Sequence, residues 1–267
     1  MSLRNAVRAF PALLRVGFAD ALAYRAETLI WVLSTTMPLV NLALWSKVAE
    51  TAPVGRYGQR QFVAYFLATF IVRQLTGSWV YWDMAFAIRT GTLSMRLLRP
   101  VDPLWAYTAE AIASVPMRLI VSLPAAIVAL ASVGASGLTH DPAIWSIWSL
   151  SLLGAWLITL LINFIVGSAS FFVESSLRLM DLWLVLYFGL SGYLIPIDLL
   201  PRSIRLVAEW LPMRFQIGLP VELMTGAHGR AVALELLARE YAWVAALLVA
   251  TIAMWRAGLK RYAAYGG

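Results

Sequence analysis

Hydrophobic residues gather into six long runs along this chain, separated by short polar or Gly/Pro breaks. A helix rises about 1.5 Å per residue, so about 20 apolar residues cross the roughly 30 Å hydrocarbon core of a bilayer. The pattern predicts spans at residues 29–48, 62–82, 104–133, 144–172, 179–197 and 241–257. The third is longer than one crossing requires and is expected to tilt or project into water. Residues 1–25 follow a different rule. Leu3, Val7, Phe10, Leu14, Phe18 and Leu22 recur at steps of three or four, with Arg4, Arg8 and Arg15 on another face. This predicts an amphipathic helix lying in the membrane interface, kinked at Pro11, with an ordinary cytosolic amphipathic helix as the alternative.

Composition agrees with a lipid solvent. Hydrophobic residues make up 61% of the chain and charged residues 13%, with a mean hydropathy of +0.76. A soluble domain carries nearer a quarter of charged residues, because its surface must face water. The 12 Trp and 10 Tyr suit interfacial belts. The net charge of +7 comes from Arg at span ends and in loops, which points to anionic lipid rather than nucleic acid. No cleavable signal segment is evident. With no cysteine, the chain has no disulfide, no thiolate nucleophile and no Cys-ligated metal.

An even number of spans puts both termini on one side. Arg4, Arg8, Arg15 and Arg25 precede the first span, against Lys47 after it, which favours termini inside. No internal repeat or low-complexity linker divides the chain. Residues 1–267 read as one all-α, polytopic membrane domain with an N-terminal interfacial helix (1–25), a basic inner segment (88–103) and an outer loop (198–240).

Two segments carry functional signals. In residues 88–103, IRTGTLSMRLLRPVDP, Gly91 breaks the chain and Pro100 and Pro103 stop it again. Between them Thr92 to Arg99 can form about two helical turns. Leu93 and Leu97 share a face, and Arg96 and Arg99 make a basic side. The alternative is a topology-setting basic loop with an incidental helix. In residues 191–227, Gly192 and Pro196 break the fifth span. A short helix with Ser203 as N-cap and Ile204, Val207, Trp210 and Leu211 on its apolar side is closed by Pro212. A second short helix leads through Pro220 toward Gly226. Helices this apolar and this short re-enter the membrane or rest on its outer face.

In this order, the basic amphipathic helix, the IRTGTLSMRLLRPVDP segment and the SGYLIPIDLLP…WLP…GLP…MTG tract resemble the membrane subunits of ABC-2-type ATP-binding-cassette exporters. The resemblance covers essentially the whole chain and includes the branch in which two different permeases share one type of ATPase. It implies that the loop after the second span is a coupling helix docking into a cytosolic ATPase, through Gly91, Leu93, Arg96, Leu97, Arg99 and Pro100. It also implies that Ile204, Val207, Trp210 and Leu211, with residues 215–223, cap the pathway on the outside. A second permease, identical or paralogous, and membrane lipids complete the expected partners, in a bacterial cytoplasmic (inner) membrane. The chain has no G-x-x-x-x-G-K-[ST] loop, and its lysines, Lys47 and Lys260, lie in no phosphate-binding context. No cofactor is therefore expected on this chain, and ATP and Mg belong to the partner ATPase.

Charges inside spans are costly and need a reason. Arg73, beside Gln74, lies deep in the second span, and Arg118 mid-way along the third. Glu110 sits two turns before Arg118, Asp83 closes the second span, Glu174 and Asp181 share a side of the fifth, and Asn163 lies in the fourth. Arg73, Glu110, Arg118 and Asp181 are candidate pathway or gate residues. The competing reading is internal pairing, for instance Arg118 with a carboxylate on a neighbouring span, which fixes packing without touching cargo. His140 and His228 stand alone in outer loops, so no metal site is expected, and no catalytic constellation is present. Two other functions remain open. An intramembrane lipid-modifying enzyme would show a dense polar cluster at one interface. A secondary transporter would show matching broken helices in two halves.

Overall fold

The computed structural model describes residues 3–23, 30, 36–133 and 137–262, and among these every regular element is helical. The first helix, α1 (Leu3–Ala23), passes through Pro11 without ending and packs on the later helix α6 (Pro103–Ala113). The contact face is set by small residues. A Cβ built on Gly17 would lie 3.1 Å from the Ala113 Cβ, and Ala6 is buried. Phe10 meets Trp105 edge-on. Val7, Phe18 and Leu22, from the stripe read in the sequence, point away from the protein. A lipid-facing stripe has this arrangement, since only small residues allow two helix backbones to approach closely.

The first predicted span lies partly outside the described residues, and α2 (Met37–Val48) covers its second half. The second is two helices rather than one: α3 (Gln59–Thr76) and α4 (Val80–Arg89) flank a break at residues 77–79. Gly77 leaves the helical region at ψ 142°, and the freed Tyr81 N–H is taken by the Asn163 side chain at 3.1 Å. Next comes α5 (Leu93–Leu97), in the basic inner segment. The third span is also divided, into α6 and α7 (Val115–Val133), at Ser114. Pro116 lacks the N–H that would bond to the Ile112 carbonyl, which accounts for the interruption.

The fourth span, α8 (Pro142–Ala169), starts where the Asp141 carboxylate accepts the Ala143 N–H, with Pro142 pre-set for the first turn. It touches α3, α4 and α6 and four elements that follow it: α9 (Ser176–Leu190), α11 (Pro212–Gln216), α12 (Gly218–Met224) and α13 (Arg230–Arg261). Both α8 and α13 are long and apolar enough to cross a membrane. Their burial differs: 67% of the most apolar stretch of α8 is inside the protein against 17% for α13, so α8 is the core and α13 its flank.

The fifth span ends at Ser191, and Gly192 then turns the chain with φ +87°. A Cβ there would lie 2.5 Å from the Tyr65 hydroxyl, which donates to the Gly192 carbonyl. Helix α10 (Arg202–Ala208) follows a short 3-10 turn. Its N-cap is Pro201, not Ser203, because the rigid φ of proline and its ψ of 143° already set the entry. The second expected short helix is two, α11 and α12, divided at Ile217 and buried along their whole length.

Candidate functional site

Helix α5 is tied to the bundle on every side that does not face outward. Leu93 is fully buried in a cluster with Met84, Tyr107, Leu160 and Trp255, and Leu97 packs against that cluster. Arg96 pairs with Glu110 at 2.9 Å and lies over the Tyr107 ring at 4.4 Å. Gly91, at φ +76°, exposes a carbonyl that accepts from Ser94 and from the Tyr262 hydroxyl at the end of α13. Arg89 donates to the Glu174 carbonyl, and Asp102 caps α6 while accepting from the Trp255 indole. What remains outward is Met95 at 68% exposure and Leu98 at 81%, beside exposed Arg99 and Pro100. Of the residues grouped as docking positions, then, Leu93, Leu97 and Arg96 turn inward. A five-residue helix is unstable alone, so its apolar face is used for anchorage. Met95 and Leu98, absent from that set, form the outward apolar surface.

A second polar cluster sits where α3 and α4 separate. A Cβ on Gly77 would lie 2.7 Å from the Arg118 Nη1 and 3.3 Å from the Arg73 Nη1, so both guanidinium groups flank one glycine. Arg118 donates to the Gly77 carbonyl and, at 3.1 Å, to the Ser114 hydroxyl. Its internal partners are thus a carbonyl and a hydroxyl, not the carboxylate on a neighbouring span that the sequence suggested. Arg73 lies over the faces of Trp79 and Tyr187, at 5.8 and 5.7 Å. Glu110, read with Arg118 in the sequence, instead pairs with Arg96. Asp181 lies exposed on α9, close enough to Tyr81 of α4 to act on its hydroxyl.

On the far side, the apolar side of α10 does not turn into the protein: Ile204, Val207 and Trp210 are exposed, while Ala208 is buried and Leu211 partly so. Arg239 stacks over the Trp210 ring at 4.6 Å. Beneath it, Glu222 on α12 holds both Arg214, at 2.8 Å, and His228, at 2.7 Å. His228, isolated in sequence, has a partner after all. Charged Arg214 and Glu222 within an apolar tract were the available signal for this buried pair. The same signal marks Glu240 on α13, fully buried against Gly154 of α8 and beside the Ser151 hydroxyl.

The N-terminal end of α8 is clasped to α13 by Arg230, which grips Asp141 through two hydrogen bonds at 2.7 and 2.8 Å. Arg230, and next the Ala143 N–H, hold the Asp141 carboxyl below its ordinary 3.8. A carboxyl lowered on folding adds stability above the unfolded value and loses it as pH falls through the folded one. Thermal melts of purified protein should therefore weaken at strongly acidic pH, and Asp141→Asn should remove that part of the acid dependence.

The family model for ABC-2 family transporter proteins matches residues 32–266. The chain belongs to the ABC-2 transporter family. No curated protein matches it. Membership makes it a membrane component of an ABC-type transporter and implies association with a cytosolic ABC ATPase.

Proposed function

We propose that this permease forms half of an export pathway with a second permease, and that a cytosolic ATPase drives it through residues 88–103. In this reading six spans cross the bacterial inner membrane with both termini cytoplasmic. Helices α10 to α12 return to the outer face, where exposed Ile204, Val207 and Trp210 meet headgroups and buried α11 and α12 close the pathway. The observation that carries the reading is the construction of α5. Five residues are held at several points to α4, α6 and α13, while Met95 and Leu98 stay uncovered. An exposed apolar pair on a firmly held short helix is suited to transmit force from a docked partner. Arg96–Glu110 then serves as an internal link passing that force to α6.

The absence of cysteine makes the topology directly testable. A membrane-impermeant maleimide should label Met95→Cys only in inside-out vesicles and Val207→Cys only in right-side-out cells. Co-expression of the ATPase should shield Met95→Cys. Labelling of Met95→Cys from the cell exterior would overturn the assignment.

A further inference from the structure

We infer that the break between α3 and α4 is a binding site for an anionic, phosphate-type headgroup. This rests on the transporter reading and names the ligand class that the mid-bundle site would take. Arg73 lies 14 residues into α3 and Arg118 15 residues before the end of α7, so each stands about 20 Å from the outer end of its span. At that depth a guanidinium group is costly unless it is paired, and two beside one glycine repel each other. Their contacts recorded among the described residues are a carbonyl, the Ser114 and Tyr193 hydroxyls and aromatic faces. None of these carries a negative charge.

Three independent features converge there. First, the ten-residue helix α4 begins at the break with no side-chain cap, so its amide dipoles favour an anion at this point. Discontinuous membrane helices use half-helix N-termini in this way for anionic groups. Second, a small open cleft of about 30 Å³, enough for an oxyanion at its mouth, is lined by Arg73, Ser78, Trp79, Asn163, Tyr187 and Gln216. Third, two polar atoms in that lining are buried without a partner: the Ser78 hydroxyl and the Oε1 of Gln216, a residue only 3% exposed. The Arg73 guanidinium and the free first-turn end of α4 take the oxyanion, Arg118 adds its charge from across Gly77, and the Ser78 hydroxyl donates to it. Gln216 accepts a hydroxyl of the same headgroup or of a bound water.

The shared chemistry, an oxyanion, could come from a lipid headgroup or from free phosphate. The test uses the full-length detergent-purified chain, titrated with phosphatidylglycerol or phosphatidylcholine and read by native mass spectrometry. Wild type should prefer phosphatidylglycerol by about tenfold, the worth of one good charge-assisted contact. Arg73→Gln and Arg118→Gln should each remove that preference, while Arg118→Lys and the exposed Arg178→Gln keep it. If Arg118→Gln fails to fold, Arg73→Gln and Arg118→Lys still decide. Displacement of the lipid by inorganic phosphate supports a free oxyanion as occupant, and resistance to it supports a lipid. Equal retention of the two lipids by wild type, or an undiminished preference in the Gln variants, overturns the site. No ATPase is needed for this measurement, so loss of the coupling reading would leave its result intact, and the converse holds.

Discussion

Leu98→Asp should leave the permease folded and abundant in membranes yet weaken its association with the cytosolic ATPase by tenfold or more, while Leu93→Asp should destroy the protein. The contrast follows from burial. Leu98 is 81% exposed and Leu93 is 0% exposed in the Met84, Tyr107 and Trp255 cluster. A carboxylate on an exposed apolar contact costs the fold little, but at the centre of a docking surface it removes a contact of about 2 kcal/mol, or more than tenfold. An aspartate forced into the Leu93 position loses its water among apolar side chains, and burial of a charge there belongs to the small class of changes costing more than about 4 kcal/mol. Pull-down of the ATPase with each variant, alongside membrane abundance, separates the two. Normal association of Leu98→Asp would remove α5 as the contact.

The second large effect concerns the outer helices. Arg214 and Glu222 are 6% and 3% exposed and bridge at 2.8 Å, with His228 on the same carboxylate. Removing one member leaves a charge stranded away from water, typically at a cost of about 3–5 kcal/mol. Glu222→Gln strands Arg214 and is expected to lower the melting temperature of the purified permease sharply. Arg214→Met combined with Glu222→Leu should recover much of the loss, since a buried pair replaced by apolar groups of similar volume is often neutral. A double variant as unstable as the single would show that the pair contributes net stability rather than only avoiding an exposed penalty.

The sequence disclosed the helical class, the apolar runs, the position of α5 and the break after the fifth run, because these depend on local period and on Gly and Pro. Which way α5 faces was not legible. Leu93 and Leu97 share a face in any helix of that register, and a leucine pair suits docking and anchorage equally until α6 and α13 are in place. The interruptions at residues 77–79 and at Ser114 also escaped. Gly77 and Pro116 were visible, but a single such residue inside a long apolar run does not say whether the helix bends or stops. Arg118 was identified as costly, but its bonding to a backbone carbonyl depends on the break that frees it. The Glu222 pairings join residues six and eight positions apart, too far along one helix axis to touch, so they depend on the bend at Ile217 and on the loop that carries His228.

Arg118 reaches both interruptions at once, the Gly77 carbonyl on one strand of the bundle and the Ser114 hydroxyl on the other. A single guanidinium group thus pins together the two points from which the segment carrying α5 departs and returns. A stroke of that segment that alters the distance between those two points must stretch one of the two hydrogen bonds. Any group seated beside the pin would sense the stroke, and by reciprocity would set how readily it occurs.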